Sequence, residues 1–129
     1  MFENLDIFRL TSGLARHSTA RQELVAKNVA NADTPGYRAR DTLSFSEAFR
    51  ASENGTQLRA TRAGHVTNTG SNSPLIETID SPDPSSPNGN TVALETEMMK
   101  AAETRHQHEM ALSVYKSSMS ILRASIGKR

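Results

Sequence analysis

Asn28-Val29-Ala30-Asn31-Ala32-Asp33-Thr34-Pro35-Gly36-Tyr37 is the stretch at which one helical pattern stops and the chain is made to turn. Thr34-Pro35-Gly36-Tyr37 has Pro second and Gly third in a four-residue turn. That order suits type II, because Pro presets its own φ and Gly tolerates a positive one. Pro35 also pushes Thr34 out of the helical region, so a helix arriving from upstream ends near Ala32. Asn28 and Asn31 lie three apart and share a helical face. Two readings of that pair follow. A buried amide at Asn28 can fix register between packed helices of neighbouring subunits at a cost in stability. Alternatively, both amides only satisfy orphan carbonyls at their own helix end.

Upstream of this run, Ile7, Leu10, Leu14, His17, Arg21, Leu24 and Asn28 alternate at intervals of three and four, a heptad seam that Val25 and Val29 widen. The pattern predicts helix from about residue 5 or 10 to 32, with Gly13 lowering propensity by about 1 kcal/mol in the first turns. At the other end of the chain Leu94, Met98, Ala101, Arg105, His108, Leu112, Tyr115, Met119, Leu122 and Ile126 keep the same alternation, flanked by Val114 and Ile121. It predicts a helix from about 93 to 126, roughly 50 Å long. Gly127-Lys128-Arg129 stops it, with cations at the negative end of the dipole. So long a helix with one narrow stripe needs a partner along most of its length. The predicted fold is therefore mainly α, with long N- and C-terminal helices pairing as a coiled-coil-like hairpin. Leu10, Leu14, Leu24, Val25, Met98, Leu112, Tyr115, Met119, Leu122 and Ile126 are the candidate packing positions between subunits.

The chain divides into residues 1–40, 41–88 and 89–129. Over 51–90 eight of forty residues are hydrophobic and nineteen are Gly, Pro, Ser or Asn. Ser81-Pro82-Asp83-Pro84-Ser85-Ser86-Pro87 excludes helix and central strand. Arg59 to Val66 and Leu75 to Ile79 have the make-up of short extended pieces that could form a small hairpin, and a disordered spacer is the competing reading. The middle is thus expected to be irregular or to hold a little β structure.

Composition narrows function by exclusion. The 129 residues give room for one modest domain, and 36% hydrophobic with 5% aromatic residues is poor supply for a self-sufficient core. Net charge is +1, and no segment clusters the Lys and Arg that would track a phosphate backbone, so no nucleic-acid partner is expected. No cysteine is present, which excludes disulfides and Cys-ligated metals. His106 and His108 point to different sides of a helix, so no metal site is expected there. No Ser lies in a nucleophile elbow, no Gly-rich phosphate loop occurs, and Asp80 and Asp83 lack calcium-loop order. No catalytic residue and no cofactor is assigned. The N-terminus has neither the basic nor the apolar region of a secretory signal, and no apolar run is long enough for a membrane span.

The Asn-x-Ala-Asn segment followed by Thr-Pro-Gly-Tyr resembles the signature of the flagellar basal body rod proteins. Asn88-Gly89-Asn90-Thr91-Val92 and Leu94-Glu95 with Glu97-Met98 are similar to the step that precedes the last long helix in that family. Ala93 departs from it, because an acidic residue often starts the helix there. The resemblance covers roughly residues 10–50 and 88–129. The short length and Ala39-Arg40-Asp41 after Tyr37-Arg38 match the proximal rod subunit in particular, another small rod protein being the nearest confusion.

The resemblance implies a structural subunit of an axial drive shaft required for motility. It also implies location in the periplasmic rod after flagellar type III export without a cleaved signal. The implied partners are copies of itself, other rod subunits, and the export gate or its adaptor at the rod base. In that setting Asn28 and Asn31 would set register, and Thr34, Pro35, Gly36 and Tyr37 would fix how the chain leaves its helix. The alternatives are a cytoplasmic helical adaptor or export chaperone, which shares the heptads, and a wall-cleaving enzyme, for which no paired acidic site is visible.

Overall fold

Two long amphipathic helices and little else follow from this patterning. A computed structural model describes residues 3–54, 76–81 and 84–127. In it α1 spans Glu3–Ala30, β1 Arg40–Thr42, α2 Phe45–Asn54, β2 Thr78–Asp80 and α3 Leu94–Ile126. α1 runs through Gly13, itself buried, without interruption, and ends within two residues of the expected stop. α3 matches its expected span to a residue and ends at Gly127, whose amide donates to the Arg123 carbonyl at 2.8 Å. As expected of Ala93, the start of α3 has no side-chain cap.

The helices run antiparallel. Phe8 meets Tyr115 edge to face with ring centroids 5.3 Å apart, Arg21 reaches Glu103 at 3.4 Å, and Asn28 reaches Glu97 at 3.0 Å. The partner number falls as the α1 number rises, which is the signature of an antiparallel hairpin.

The inward rows of the hairpin differ from the apolar seam read from the sequence. On α1 the inward row is Thr11, Leu14, Ser18, Arg21, Val25 and Asn28; on α3 it is Glu97, Ala101, Thr104, His108, Ala111, Tyr115, Ser118 and Leu122. Each shares half its positions with the apolar seam read from the sequence. The other half is displaced by one residue, so Thr11, Ser18 and Val25 replace Leu10, His17 and Leu24. On α3, Glu97, Thr104, Ala111 and Ser118 replace Met98, Arg105, Leu112 and Met119. The physical reason is size. Small side chains let two helices approach closely, and the Thr hydroxyls return to their own helix. Thr11 Oγ1 donates to the Ile7 carbonyl at 2.8 Å and Thr104 Oγ1 to the Lys100 carbonyl at 2.6 Å.

The described parts of the segment between the helices hold more regular structure than its composition suggests. Ser44-Phe45-Ser46-Glu47 is a capping box: Ser44 Oγ donates to Glu47 Oε2 at 2.6 Å, the Ser44 amide donates to the same carboxylate at 3.2 Å, and the Glu47 amide donates back to Ser44 Oγ. It starts α2, which the sequence reading did not anticipate. These hydrogen bonds hold the Glu47 carboxyl below its ordinary value. The small sheet pairs β1 with β2 antiparallel, Arg40 opposite Asp80 and Thr42 opposite Thr78. Extended structure near Ile79 is therefore present, but its partner is the segment after Tyr37; the expected piece at Arg59 to Val66 lies outside the described residues.

Because the close approach depends on small residues, Ala111→Leu restores apolar patterning yet overfills the interface. We expect it to lower unfolding free energy by about 1–3 kcal/mol in denaturant titration, whereas Met98→Ala, on the exposed flank, stays within about 0.5 kcal/mol.

Candidate functional site

Residues 28–37 converge with the step before α3 at the closed end of the hairpin. Tyr37 donates its amide to the Thr34 carbonyl at 3.3 Å and Gly36 has φ +71°, as a type II turn with Gly third demands. This turn docks on a second one. The Gly36 amide donates to the Asn88 carbonyl at 3.0 Å and the Thr91 amide to the Tyr37 carbonyl at 3.0 Å. Gly89, at φ +80°, lies so close that an added Cβ would sit 3.4 Å from the Gly36 Cα.

One amide side chain serves both helix ends. Asn90 Nδ2 faces the carbonyls of Asn31, Ala32 and Thr34 at 3.0, 2.7 and 2.9 Å, where α1 has run out of helical donors. Its Oδ1 accepts the Val92 amide at 2.7 Å, two residues before α3 begins. Asn31 caps its own helix by donating to the Lys27 carbonyl at 2.8 Å.

Asn28 does more. It is 1% exposed and Glu97 is 0% exposed. Asn28 Nδ2 donates to the Arg40 carbonyl at 2.8 Å and to Glu97 Oε2 at 3.0 Å, while its Oδ1 accepts the Arg40 amide at 3.1 Å and the Tyr37 hydroxyl at 3.3 Å. Within the chain, Asn28 thus ties α1 to α3 and to β1.

A charged belt continues from Glu97 across the hairpin. Lys100 Nζ pairs with Glu97 Oε1 at 3.0 Å and Asp41 Oδ2 at 3.5 Å, and donates to Ser81 Oγ at 3.2 Å. Arg21 grips Asp41 through Nε at 2.9 Å and Nη2 at 3.3 Å, and extends Nη1 to Glu103 at 3.4 Å. Burial pushes the Asp41 carboxyl up, but hydrogen bonds from Arg21 and the Thr42 amide, with the charges of Arg21 and Lys100, outweigh it and hold the carboxyl below the ordinary aspartate value. Burial likewise works against the Arg21 charge, and Asp41 with Glu103 more than restores it. His17, expected on the seam of α1, faces away from α3: its Nε2 lies 2.8 Å from the Leu43 carbonyl and so donates to it, and its ring meets Phe45 edge to face.

The structure also leaves apolar faces uncovered. Leu10, Met98, Leu112, Tyr115 and Ile126 are exposed, Met98 by 65% and Ile126 by 78%; Leu14, Leu24, Met119 and Leu122 are half-buried, and Val25 is buried in the hairpin. A second apolar row, Met99, Met110, Val114 and Ile121, runs along the solvent side of α3. Among the described residues no group of three or more His, Asp or Glu is placed to hold a metal, and no helix is long and apolar enough to cross a membrane.

Asn90, Glu97, Asp41 and Lys100 were not singled out as site residues from sequence. Asn90, Glu97 and Asp41 nevertheless lie inside the motifs that carry the family resemblance, which was the available signal; Lys100 had none.

An antiparallel hairpin tied at its closed end, with apolar rows facing solvent, defines a protein built to be packed against. A family profile described as flagella basal body rod protein matches residues 10–38, which contain the α1 row and the turn. The chain belongs to the flagellar basal body rod protein family. It is similar to the flagellar basal body rod protein FlgB of Salmonella typhimurium, 36% identical over 106 residues that cover 77% of each chain. It is also similar to FlgB of Agrobacterium fabrum, at 32% over 120 residues (88% of this chain, 87% of the relative), and of Escherichia coli, at 37% over 100 residues (72% of each).

Two measurements check the closed end. Asn28→Ala leaves the Arg40 amide and the Glu97 carboxylate without their buried partner, and we expect a loss of about 2–4 kcal/mol in denaturant titration. For Asp41, a folded-state value below the unfolded one means its contribution is complete above the unfolded value of about 4 and is lost as pH falls through the folded one. Asp41→Asn should therefore flatten the acid limb of thermal stability below about pH 4, leaving the slope that Glu47 and Glu23 contribute with the same sign.

Proposed function

We propose that this chain is a structural subunit of the bacterial flagellar basal body rod, in its proximal part, acting mechanically rather than as a catalyst. One observation carries the reading: the hairpin ties its two helices together through a buried polar network of its own while Leu10, Met98, Leu112 and Ile126 stay exposed on its flanks. Exposed apolar rows of this kind mark surfaces that another protein covers. Staggered hairpins of neighbouring subunits would bury one another's rows and build a cooperative tube able to transmit torque.

Copies of itself and other rod subunits are the partners this geometry suits. The family resemblance adds an export gate or its adaptor at the base of the rod, and a periplasmic location reached through the flagellar export channel. Thr34, Pro35 and Gly36, exposed at the closed end, and Tyr37, half-buried there, would keep the hairpin in one shape as it meets a neighbour.

The test is deletion of the gene in the source bacterium with complementation, scored by motility and electron microscopy of basal bodies. Loss of rod, hook and filament with the membrane ring retained is the expected result; intact flagella in the deletion strain would overturn the reading. Leu112→Asp introduces a charge on an exposed flank, so the chain should fold as before yet fail to complement. Normal rods carrying that change would sink the packing role of the flank.

A further inference from the structure

With no cysteine in the chain, oxidant chemistry at sulfur falls entirely on its five methionines. They are not equivalent. Met98 is 65% exposed, Met99 75% and Met110 47%, whereas Met119 is half-buried against the hairpin. Met99 and Met110 stand eleven residues apart on the solvent row of α3 that Val114 and Ile121 continue, and Met98 stands on the flank with Leu94 and Leu112. Among the described methionines, the thioethers easiest to reach in the free chain are thus part of the faces left uncovered by the fold.

We propose that Met98, Met99 and Met110 form an oxidation-sensitive site, at which peroxide-class oxidants convert the free chain to sulfoxides that no longer assemble. The consequence rests on the proposed role in rod assembly; the identity of the site does not. In the step, the thioether sulfur attacks one oxygen of hydrogen peroxide, the O–O bond breaks, an S–O bond forms, and the departing oxygen leaves as water after proton transfer. Sulfur is oxidised by two electrons and the peroxide is reduced.

The product changes the face from apolar to polar. A sulfoxide oxygen is an acceptor that needs a donor once water is excluded. One turn either side of Met99 stand the carboxylates Glu95 and Glu103, which supply none, and Glu103 already accepts from Arg21 and Gln107. One turn either side of Met98 stand Leu94 and Ala102, whose side chains cannot donate, whereas Met110 has the donor His106 one turn before it, so the unpaired acceptors are those of Met98 and Met99. Burying such a group unpaired weakens association by about tenfold or more. Chains already assembled would be shielded by the same contact, so the site discriminates free from incorporated subunits, and enzymatic sulfoxide reduction would reverse it.

The test has two arms. The purified full-length chain is exposed to hydrogen peroxide and its methionine peptides followed by mass spectrometry. Met98, Met99 and Met110 should oxidise several-fold faster than Met119, and equal rates would overturn the assignment. In the second arm, a strain lacking the chain is complemented with the triple Met→Leu variant or the triple Met→Gln variant, the latter carrying a neutral polar group in place of each thioether. Met→Leu should restore flagellated cells to the wild-type number and Met→Gln to about a tenth or fewer. Full rescue by a Met→Gln chain that circular dichroism shows to be folded would overturn the consequence. Rods in the uncomplemented strain would instead overturn the assembly role, and with it that consequence, while the peptide rates would still decide the site on their own.

Discussion

The hairpin depends on one buried polar contact, the Asn28 amide lodged between the Glu97 carboxylate and the backbone of Arg40. Two polar side chains at full burial are costly unless each finds partners, and here each does. Their geometry tolerates no slip. Moving α3 one residue along α1 would take Glu97 off the amide, and turning it by the same amount would bring Met98 inward instead. The contact thus converts two helices that could slide into a hairpin with a single register. Lys100, Asp41 and Arg21 extend that register outward from the closed end.

The way the fold handles polarity explains its surface. With only 36% hydrophobic residues, the chain does not gather its large apolar side chains in its own interior. Instead the helix–helix contact is built from Thr, Ser, Ala and a satisfied charged belt, and Met98, Met99, Leu112 and Ile126 remain outside. A helix pair held this way is stable enough to keep its shape while retaining apolar area for neighbours. That division of labour suits a subunit whose purpose is to be stacked, and it accords with membership of the rod protein family.

The closed end shows how local chemistry becomes tertiary. Pro35 and Gly36 shape a turn, Gly89 shapes another, and neither requires the other. Their docking, through the Gly36 amide on Asn88 and the Thr91 amide on Tyr37, brings Asn90 under the end of α1. There one side chain satisfies carbonyls of the first helix and leads into the last one. The small sheet of β1 and β2 then lays Asp41 beside Arg21 and Lys100, closing the belt.

Sequence alone determined the two long helices, their ends and the turn at Pro35-Gly36, because heptad spacing and proline and glycine sterics act within a few residues. It also carried the capping box at Ser44 and Glu47, a local signal that was legible but went unread. Only the tertiary structure decided which of two heptad registers faces inward. Those registers differ by one residue and share half their positions, so Leu10 or Thr11, and Met98 or Glu97, satisfy the spacing equally well. The choice rests on how closely two helices can approach and on whether a buried carboxylate finds a partner. Asn28 and Glu97 are 69 residues apart in the chain and 3.0 Å apart in the fold, and no local pattern can encode such a pairing.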